Sequence, residues 1–445
     1  MNKYILSSLF LLIIILLIAG CGTDYMLSSF YIRNKDLKWL VSPSEQASID
    51  TKYQVSGDLS SQNTSPSVLA TPANYIIVLY EHRTQNRLDI IGVDGYDTVD
   101  VYSSISLNAE NFVSDQVVGG KYSISSSDSH GSPIGFVDNN GNIVVLAVKD
   151  FGFGNDNDKD KLTPISVSIS SNNGQSWTAW ADIDTNTFNT LKEKGYNRYY
   201  TNPGNGKKLK NGTLACIIDY RKHNNGGKNK ADGFAIFYST NNGKDWQVGA
   251  TMNYSGYSHR FARIIAENSD GSLLIAAVTN VGNDGYTKNG DLAWYKLDSL
   301  NGTITPITVT GLPQNNGGTI SGDNCKFTYN NTSRSGIILA HSFPNRKYTN
   351  AANYVYDIPT SSALSISEDE GKSWKLITNI VGTGLQDKAS FRQSLMVLKD
   401  GTIANAYEEG DGRTITSSGN SSFFIVYRRF SLESISKGVY KYEGF

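Results

Sequence analysis

"SISEDEGKSW" occupies residues 365–374. Two relatives of it stand upstream, "SISSNNGQSW" at 168–177 and "FYSTNNGKDW" at 237–246. Aligned on their serines, Ser170, Ser239 and Ser367, the three copies are 69 and 128 residues apart, and the second gap is two periods of 64. A period near 66 residues therefore predicts worn copies near residues 303 and 104. "KLDSLNGTI" (296–304), with Gly302, and "SSISLNAENF" (103–112), ending in Phe112, stand there. A supersecondary unit repeated at a fixed period indicates a cyclic or stacked array.

Each unit has the same internal order. A strand of period two comes first, as in "NIVVLAV", "TLACIIDY" and "TIANAYEE". A variable loop follows, and a second strand such as "PISVSIS", "FAIFYS" or "SALSIS" runs into the repeated stretch. Four strands per unit around an axis make a propeller blade. The expected fold is an all-β, six-bladed β-propeller, closed by a strand from 50–60 or from "GVYKYEGF" at the C-terminus. The repeated stretch reads as architecture. Asn172, Asn241 and Asp369 fold back onto turn amides, while Gly174, Gly243 and Gly371 supply positive φ. Trp177, Trp246 and Trp374 then bury large rings between units.

The N-terminus tells a separate story. "MNKY" carries Lys3, "ILSSLFLLIIILLIAG" is apolar but short of the length a spanning helix needs, and Cys21 follows. Residues 18–21 resemble a bacterial lipoprotein box, which implies cleavage before Cys21 and lipidation of its thiol. The chain divides into a signal peptide (1–20), a lipidated tether (21–50) and the propeller (51–445), held by a lipid anchor in a bacterial cell envelope, outside the cytoplasm. A net charge of −1 gives no field to steer nucleic acid. Cys216 and Cys325, the cysteines left after Cys21, lie in apolar strand-like runs and imply no disulfide framework. The five histidines are scattered without metal-ligand spacing, so neither metal nor cofactor is expected. "NDNDKD" (155–160) lacks the glycine and final glutamate of a calcium loop and reads as a solvated loop. "PGNGKKLKNG" (203–212) reads as a structural turn, and its "GKKLK" as a solvent-facing basic cluster.

The pattern S-x-[DN]-x-G-x-[STD]-W resembles the Asp box of sialidases. "SPSVLATPANYIIVLYEHR" (65–83), "GSPIGFVDNNGNIVVLAV" (131–148), "NPGNGKKLKNGTLACIIDYR" (202–221) and "SLMVLKDGTIANAYEEG" (394–410) resemble, in order, the first, second, third and last blades of bacterial exo-α-sialidases. That resemblance implies release of terminal sialic acid from glycoconjugates. Three arginines would clamp the sugar carboxylate, because guanidinium matches its geometry. A tyrosine activated by a glutamate would attack, and a loop aspartate would serve as acid and base.

Carried over residue by residue, the resemblance places Arg83 in the carboxylate clamp and Asp89 as acid and base, with Arg346 as a further clamp residue. Elsewhere the sequence departs. Thr64, Ser65 and Pro66 stand where the first arginine motif belongs, and Ala262 stands where the glutamate belongs. Glu267 matches only a second, non-catalytic glutamate, Val278 replaces an arginine, and Phe391 and Arg392 replace the tyrosine. Arg392, with Arg260 or Arg263, adds cations near the same loops. The expected function is a sialidase-like hydrolase of sialylated glycans, with Arg392 in the substrate site. The alternative is a degenerate sialidase-fold lipoprotein that binds an anionic glycan without cleaving it. A third reading is a propeller that uses its rim for protein contact.

Overall fold

A computed structural model describes residues 48–56, 62–83, 98–149, 153, 160–223, 231–254, 260–278, 292–312, 320–343, 346–349, 355–358, 361–381, 388–389, 392–411 and 423–441. Strands dominate, and they form a six-bladed propeller. After β1 (Asp50–Gln54), blade 1 comprises β2 (Gln62–Ala70), β3 (Ile76–Arg83), β4 (Val99–Ser106) and β5 (Phe112–Val117). Blade 2 comprises β6 (His130–Val137), β7 (Ile143–Lys149), β8 (Ile165–Ser170) and β9 (Ala181–Asp182). Blade 3 is built from β10 (Tyr196–Thr201), β12 (Lys207–Lys208), β13 (Leu214–Lys222), β14 (Gly233–Ser239) and β15 (Gln247–Asn253). Between β10 and β12, β11 (Gly204–Asn205) leaves its own blade and pairs in parallel with β6.

Blade 4 holds β16 (Arg260–Glu267), β17 (Leu273–Val278), β18 (Leu292–Leu297) and β19 (Ile304–Ile307). Blade 5 holds β20 (Ile320–Tyr329), β21 (Thr332–Phe343), β24 (Ser361–Ser367) and β25 (Lys375–Val381), with a hairpin of β22 (Arg346–Thr349) and β23 (Val355–Ile358) inserted. Blade 6 combines β26 (Lys388–Ala389), β27 (Gln393–Val397), β28 (Ile403–Asp411) and β29 (Phe423–Phe430) with β1 (Asp50–Gln54). β1 is the outermost strand of the last blade, so the segment beginning at residue 50 closes the ring.

Antiparallel alternation gives the ring two ends. The inner strands begin at an entry end and finish at an exit end, and the repeated stretches lie at the exit end. Their geometry is the same three times. The Gly174, Gly243 and Gly371 amides donate to the Oγ of Ser170, Ser239 and Ser367 at 2.8, 2.9 and 2.8 Å. The amides of Ser176, Asp245 and Ser373 donate to the Oδ1 of Asn172, Asn241 and Asp369 at 2.9, 2.9 and 2.8 Å. The three glycines have φ of 84°, 79° and 88°.

A Cβ at Gly243 would lie 2.7 Å from Val144 of blade 2, and one at Gly371 would lie 2.3 Å from Leu274 of blade 4. Glycine is thus required twice over, for the turn and for the neighbouring blade. Each tryptophan also reaches the preceding blade. Trp177 Nε1 donates to Ser103 Oγ at 3.2 Å, Trp246 packs on Phe136 and Trp374 packs on Trp294.

The worn copies keep part of this arrangement. In blade 1 the Asn111 amide donates to Asn108 Oδ1 at 2.9 Å, and Phe112 meets Tyr427 of blade 6 edge to face. In blade 4 the Gly302 amide closes the turn on the Ser299 carbonyl at 2.8 Å.

The "PGNGKKLKNG" segment is structural, but its lysines are not uniformly solvent-facing. Asn205 crosses toward the axis, where its Oδ1 accepts the Val68 amide of blade 1 at 3.0 Å and its Nδ2 donates to the Leu395 carbonyl of blade 6 at 2.9 Å. Lys207 Nζ donates to the Gly322 carbonyl at 2.6 Å and pairs with Asp323 Oδ1 at 3.0 Å in blade 5. The physical reason is that β11 has joined a foreign blade, which drags the following lysine inward with it.

Candidate functional site

The entry end concentrates buried charge. Three inner strands carry an irregularity there, at Thr64/Ser67 in β2, Gly131/Ile134 in β6 and Arg260/Arg263 in β16. At each, one non-glycine residue takes positive φ: Ser65 at 61°, Ser132 at 55° and Phe261 at 54°. Such a bulge re-aims one amide out of the ladder. The amide then meets a buried carboxylate on the second strand of the preceding blade. Ser65 N donates to Glu408 Oε1 at 2.7 Å, Ser132 N to Glu81 Oε2 at 2.7 Å and Phe261 N to Asp219 Oδ2 at 3.0 Å. Glu81, Asp219 and Glu408 are at most 1% exposed.

Guanidinium groups complete the cluster. Arg83 Nε pairs with Glu81 Oε1 at 2.5 Å, and Arg392 Nη1 pairs with Glu408 Oε1 at 3.0 Å. Arg392 Nη1 also donates to Thr64 Oγ1, and that hydroxyl donates to Glu408 Oε1. Burial alone would raise the Glu81 carboxyl, but Arg83 and Arg392 together hold it below the usual carboxylate range. Arg83 and Arg392 are thus brought together around Glu81, as two of the expected site residues. Arg346 begins the hairpin that follows β21 at this end, but its side chain lies outside the described residues. Asp89, between β3 and β4, also lies outside them, as do Phe391 and Cys21.

Arg263 extends the cluster, within electrostatic reach of Arg392 and Glu408. Its Nη1 donates to the Ile320 carbonyl of blade 5 at 2.8 Å and the Gln393 carbonyl of blade 6 at 2.6 Å. Its Nε and Nη2 are buried with no hydrogen-bond partner. Burial pulls this guanidinium down to about 9. Gly204 makes room for it, since a Cβ there would stand 2.9 Å from Arg263 Cζ. Three guanidiniums, Arg83, Arg263 and Arg392, thus stand among three buried carboxylates, Glu81, Asp219 and Glu408.

The residues flanking the cluster offer little to a glycosyl cation. Ala262 is buried and its carbonyl accepts Asn202 Nδ2 at 2.8 Å. Val278 is buried opposite Arg260 in the β16–β17 ladder. Glu267 sits at the exit end, where its Oε2 accepts the Lys210 amide. Tyr254 lies within electrostatic reach of Asp219, but burial raises its phenol well above the ordinary value, the opposite of nucleophile activation. Glu81, Glu408 and Asp219 were not singled out from sequence. Their signal was a charged residue near the end of an otherwise apolar strand, as in "IIVLYEHR" and "IANAYEEG".

No family model matches this sequence, and no curated protein matches it by sequence. Solved structures match by fold. A Hadza microbial sialidase aligns over 84% of this chain and 66% of its own, with a TM-score of 0.60 and 16% identity. The intramolecular trans-sialidase of Ruminococcus gnavus, in complex with oseltamivir carboxylate, aligns over 86% and 97%, with a TM-score of 0.59 and 14% identity. Trypanosoma rangeli sialidase in complex with sialic acid aligns over 86% and 57%, with a TM-score of 0.57 and 12% identity. This chain therefore spans less than two thirds of the length of the Hadza and Trypanosoma proteins. The fold is that of sialidases.

Proposed function

We propose that this chain is a lipid-anchored, sialidase-fold protein of the bacterial cell envelope that binds a terminal sialic acid, or a similar carboxylate-bearing sugar, without cleaving it. The observation that carries this reading is the position of Arg392. It stands where the resemblance expects the nucleophilic tyrosine, and it reaches across to Thr64, where the resemblance expects an arginine. A guanidinium has moved into the clamp at the cost of the nucleophile.

The transition state argues the same way. Departure of the aglycone leaves positive charge on the sugar ring. Arg263, with Ala262 in place of a base, repels that charge while attracting the ground-state carboxylate. Glu81 is a poor substitute nucleophile because Arg83 and the Ser132 amide occupy both of its oxygens, and Glu408 Oε1 is held by Arg392 and the Ser65 amide. Arg83 and Arg392 provide the charge-assisted contacts, and Arg346 and Asp89 are the further residues assigned to the same ligand.

The test is calorimetric titration with sialyl-lactose and with lactose, beside hydrolysis of a fluorogenic sialoside. The expected result is saturable binding of sialyl-lactose, none of lactose and no turnover. Arg392→Lys keeps the charge but loses the planar fork, and should weaken binding roughly tenfold. Turnover that Asp89→Ala abolishes would replace this reading with a working sialidase.

A further inference from the structure

The exit end carries a second site. A cavity of about 450 Å³ opens there on the propeller axis, walled by Leu69 and Val137 on one side and Met396 on another. Its size falls in the range of small-ligand pockets. Lys207, Lys208 and Lys399 line it. Acids stand nearby, but their oxygens are engaged. Asp323 takes Lys207 on Oδ1 and the Val397 amide on Oδ2 at 2.9 Å. Asp138 Oδ1 takes the amides of its own turn, Asn140 and Asn142, at 2.8 and 2.7 Å. Asp400 takes Arg429 at 2.6 Å. Two of the lysines, Lys208 and Lys399, are less committed. Lys208 Nζ reaches the Asp138 carbonyl at 3.4 Å, and Lys399 is exposed. The cavity thus pairs apolar walls with open ammonium groups.

The entry point of the chain selects the ligand. Asp50 pairs with Phe430, Phe430 with Ile403 and Ile403 with Val397. These residues form one row across blade 6, and Val397 lines the cavity. The segment preceding β1 therefore joins the propeller at the exit end. The opposite end of the same ladder runs from Gln54 through Val426 and Tyr407 to Gln393, beside Arg392. A lipid on Cys21 would tether the propeller through the end that holds the cavity.

We infer that the exit-end cavity is a docking site for the phosphate of an anionic phospholipid headgroup. Lys208 and Lys399 take the phosphate oxygens, while Met396 and Leu69 cover the glycerol. Lys207 stays with Asp323 and sets the depth of the site. Ammonium groups near an anionic bilayer add to the hold of the lipid anchor. The inference rests on the lipid-anchor part of the proposed function and is independent of whether the entry end holds a sugar.

The test uses the chain from residue 22 onward. All six blades and the closing strand lie after residue 48, so this chain retains the whole ring. Sedimentation with phosphatidylcholine vesicles, with and without phosphatidylglycerol, reads the binding. The expected result is preference for the anionic vesicles, reduced roughly tenfold or more in Lys208→Glu/Lys399→Glu, with unchanged melting temperature and unchanged sialyl-lactose titration. Equal partitioning of parent and variant, or no preference for phosphatidylglycerol, overturns the inference. So does saturable binding of inorganic phosphate without vesicle binding, which gives the cavity to a soluble phosphate.

Discussion

The two ends of this propeller join their blades by different chemistry. At the exit end a neutral or singly acidic turn presents a glycine to the preceding blade, and in blades 3 and 5 a buried tryptophan packs on a ring of that blade. At the entry end a buried carboxylate reaches forward to a bulged amide of the next blade. The exit-end joints are local motifs that blades 2, 3 and 5 carry in full within ten residues. The entry-end joints are long-range and tie charge into the axis. A ring needs strength between blades at both ends; the exit end has the Arg429–Asp400 pair within blade 6, but at the entry end Arg83 and Arg392 pair with the same carboxylates that join one blade to the next. The difference separates joints written in local sequence from joints made by residues far apart in the chain.

Substitutions test that separation, beginning with the strongest. Glu81→Ala removes the buried carboxylate that accepts from Arg83 Nε and the Ser132 amide, and should cost about 3 kcal/mol in urea unfolding. Trp374→Ala opens a cavity against Trp294 and should cost about 3 kcal/mol, with sialyl-lactose affinity per folded molecule unchanged.

Acid should act on the entry end. Burial lowers both His130 and His341 to about 4. The unfolded chain therefore binds more protons between the ordinary histidine value and about pH 4, and stability falls as pH drops through that window. For the fully buried His341 this amounts to about 2–3 kcal/mol, and His341→Gln should flatten the pH profile by that much. The Glu81 contribution has a lower window, because its folded value is depressed. It is fully present above the ordinary carboxylate range and is lost as pH falls below it.

Gly371→Ala should cost about 2 kcal/mol, since φ is 88° and the new methyl would meet Leu274 at 2.3 Å. Ser170→Ala, which removes the hydroxyl accepting the Gly174 amide, should cost about 1 kcal/mol.

The same contrast explains what could be read from sequence. The exit-end joints were legible because serine, Asn or Asp, glycine and tryptophan all fall within one short stretch, and a period of about 66 residues repeats them. Even the worn copy at 103–112 showed itself through Phe112, which still packs on the adjoining blade. The entry-end joints were not legible. Thr64 and Glu408 are 344 residues apart, and Arg392 and Thr64 are 328 apart. No local pattern announces such a pairing. Arg83 and Arg392 were found through resemblance, whereas Glu81 and Glu408 were hidden inside strands that otherwise read as core. Lys207 misled for a related reason. A basic cluster reads as solvated until β11 is known to join another blade.

Ring closure sets an order of assembly. β1 pairs with β29, so Asp50 meets Arg428 across 378 residues of chain. Blades 1 to 5 can each fold as their own strands emerge, but blade 6 must wait for the last strand and then capture one made at the outset. Until then β1 has no partner sheet and β29 lacks its outer neighbour. For a chain delivered from its N-terminus, the final twenty or so residues decide when two exposed strand edges become one sheet.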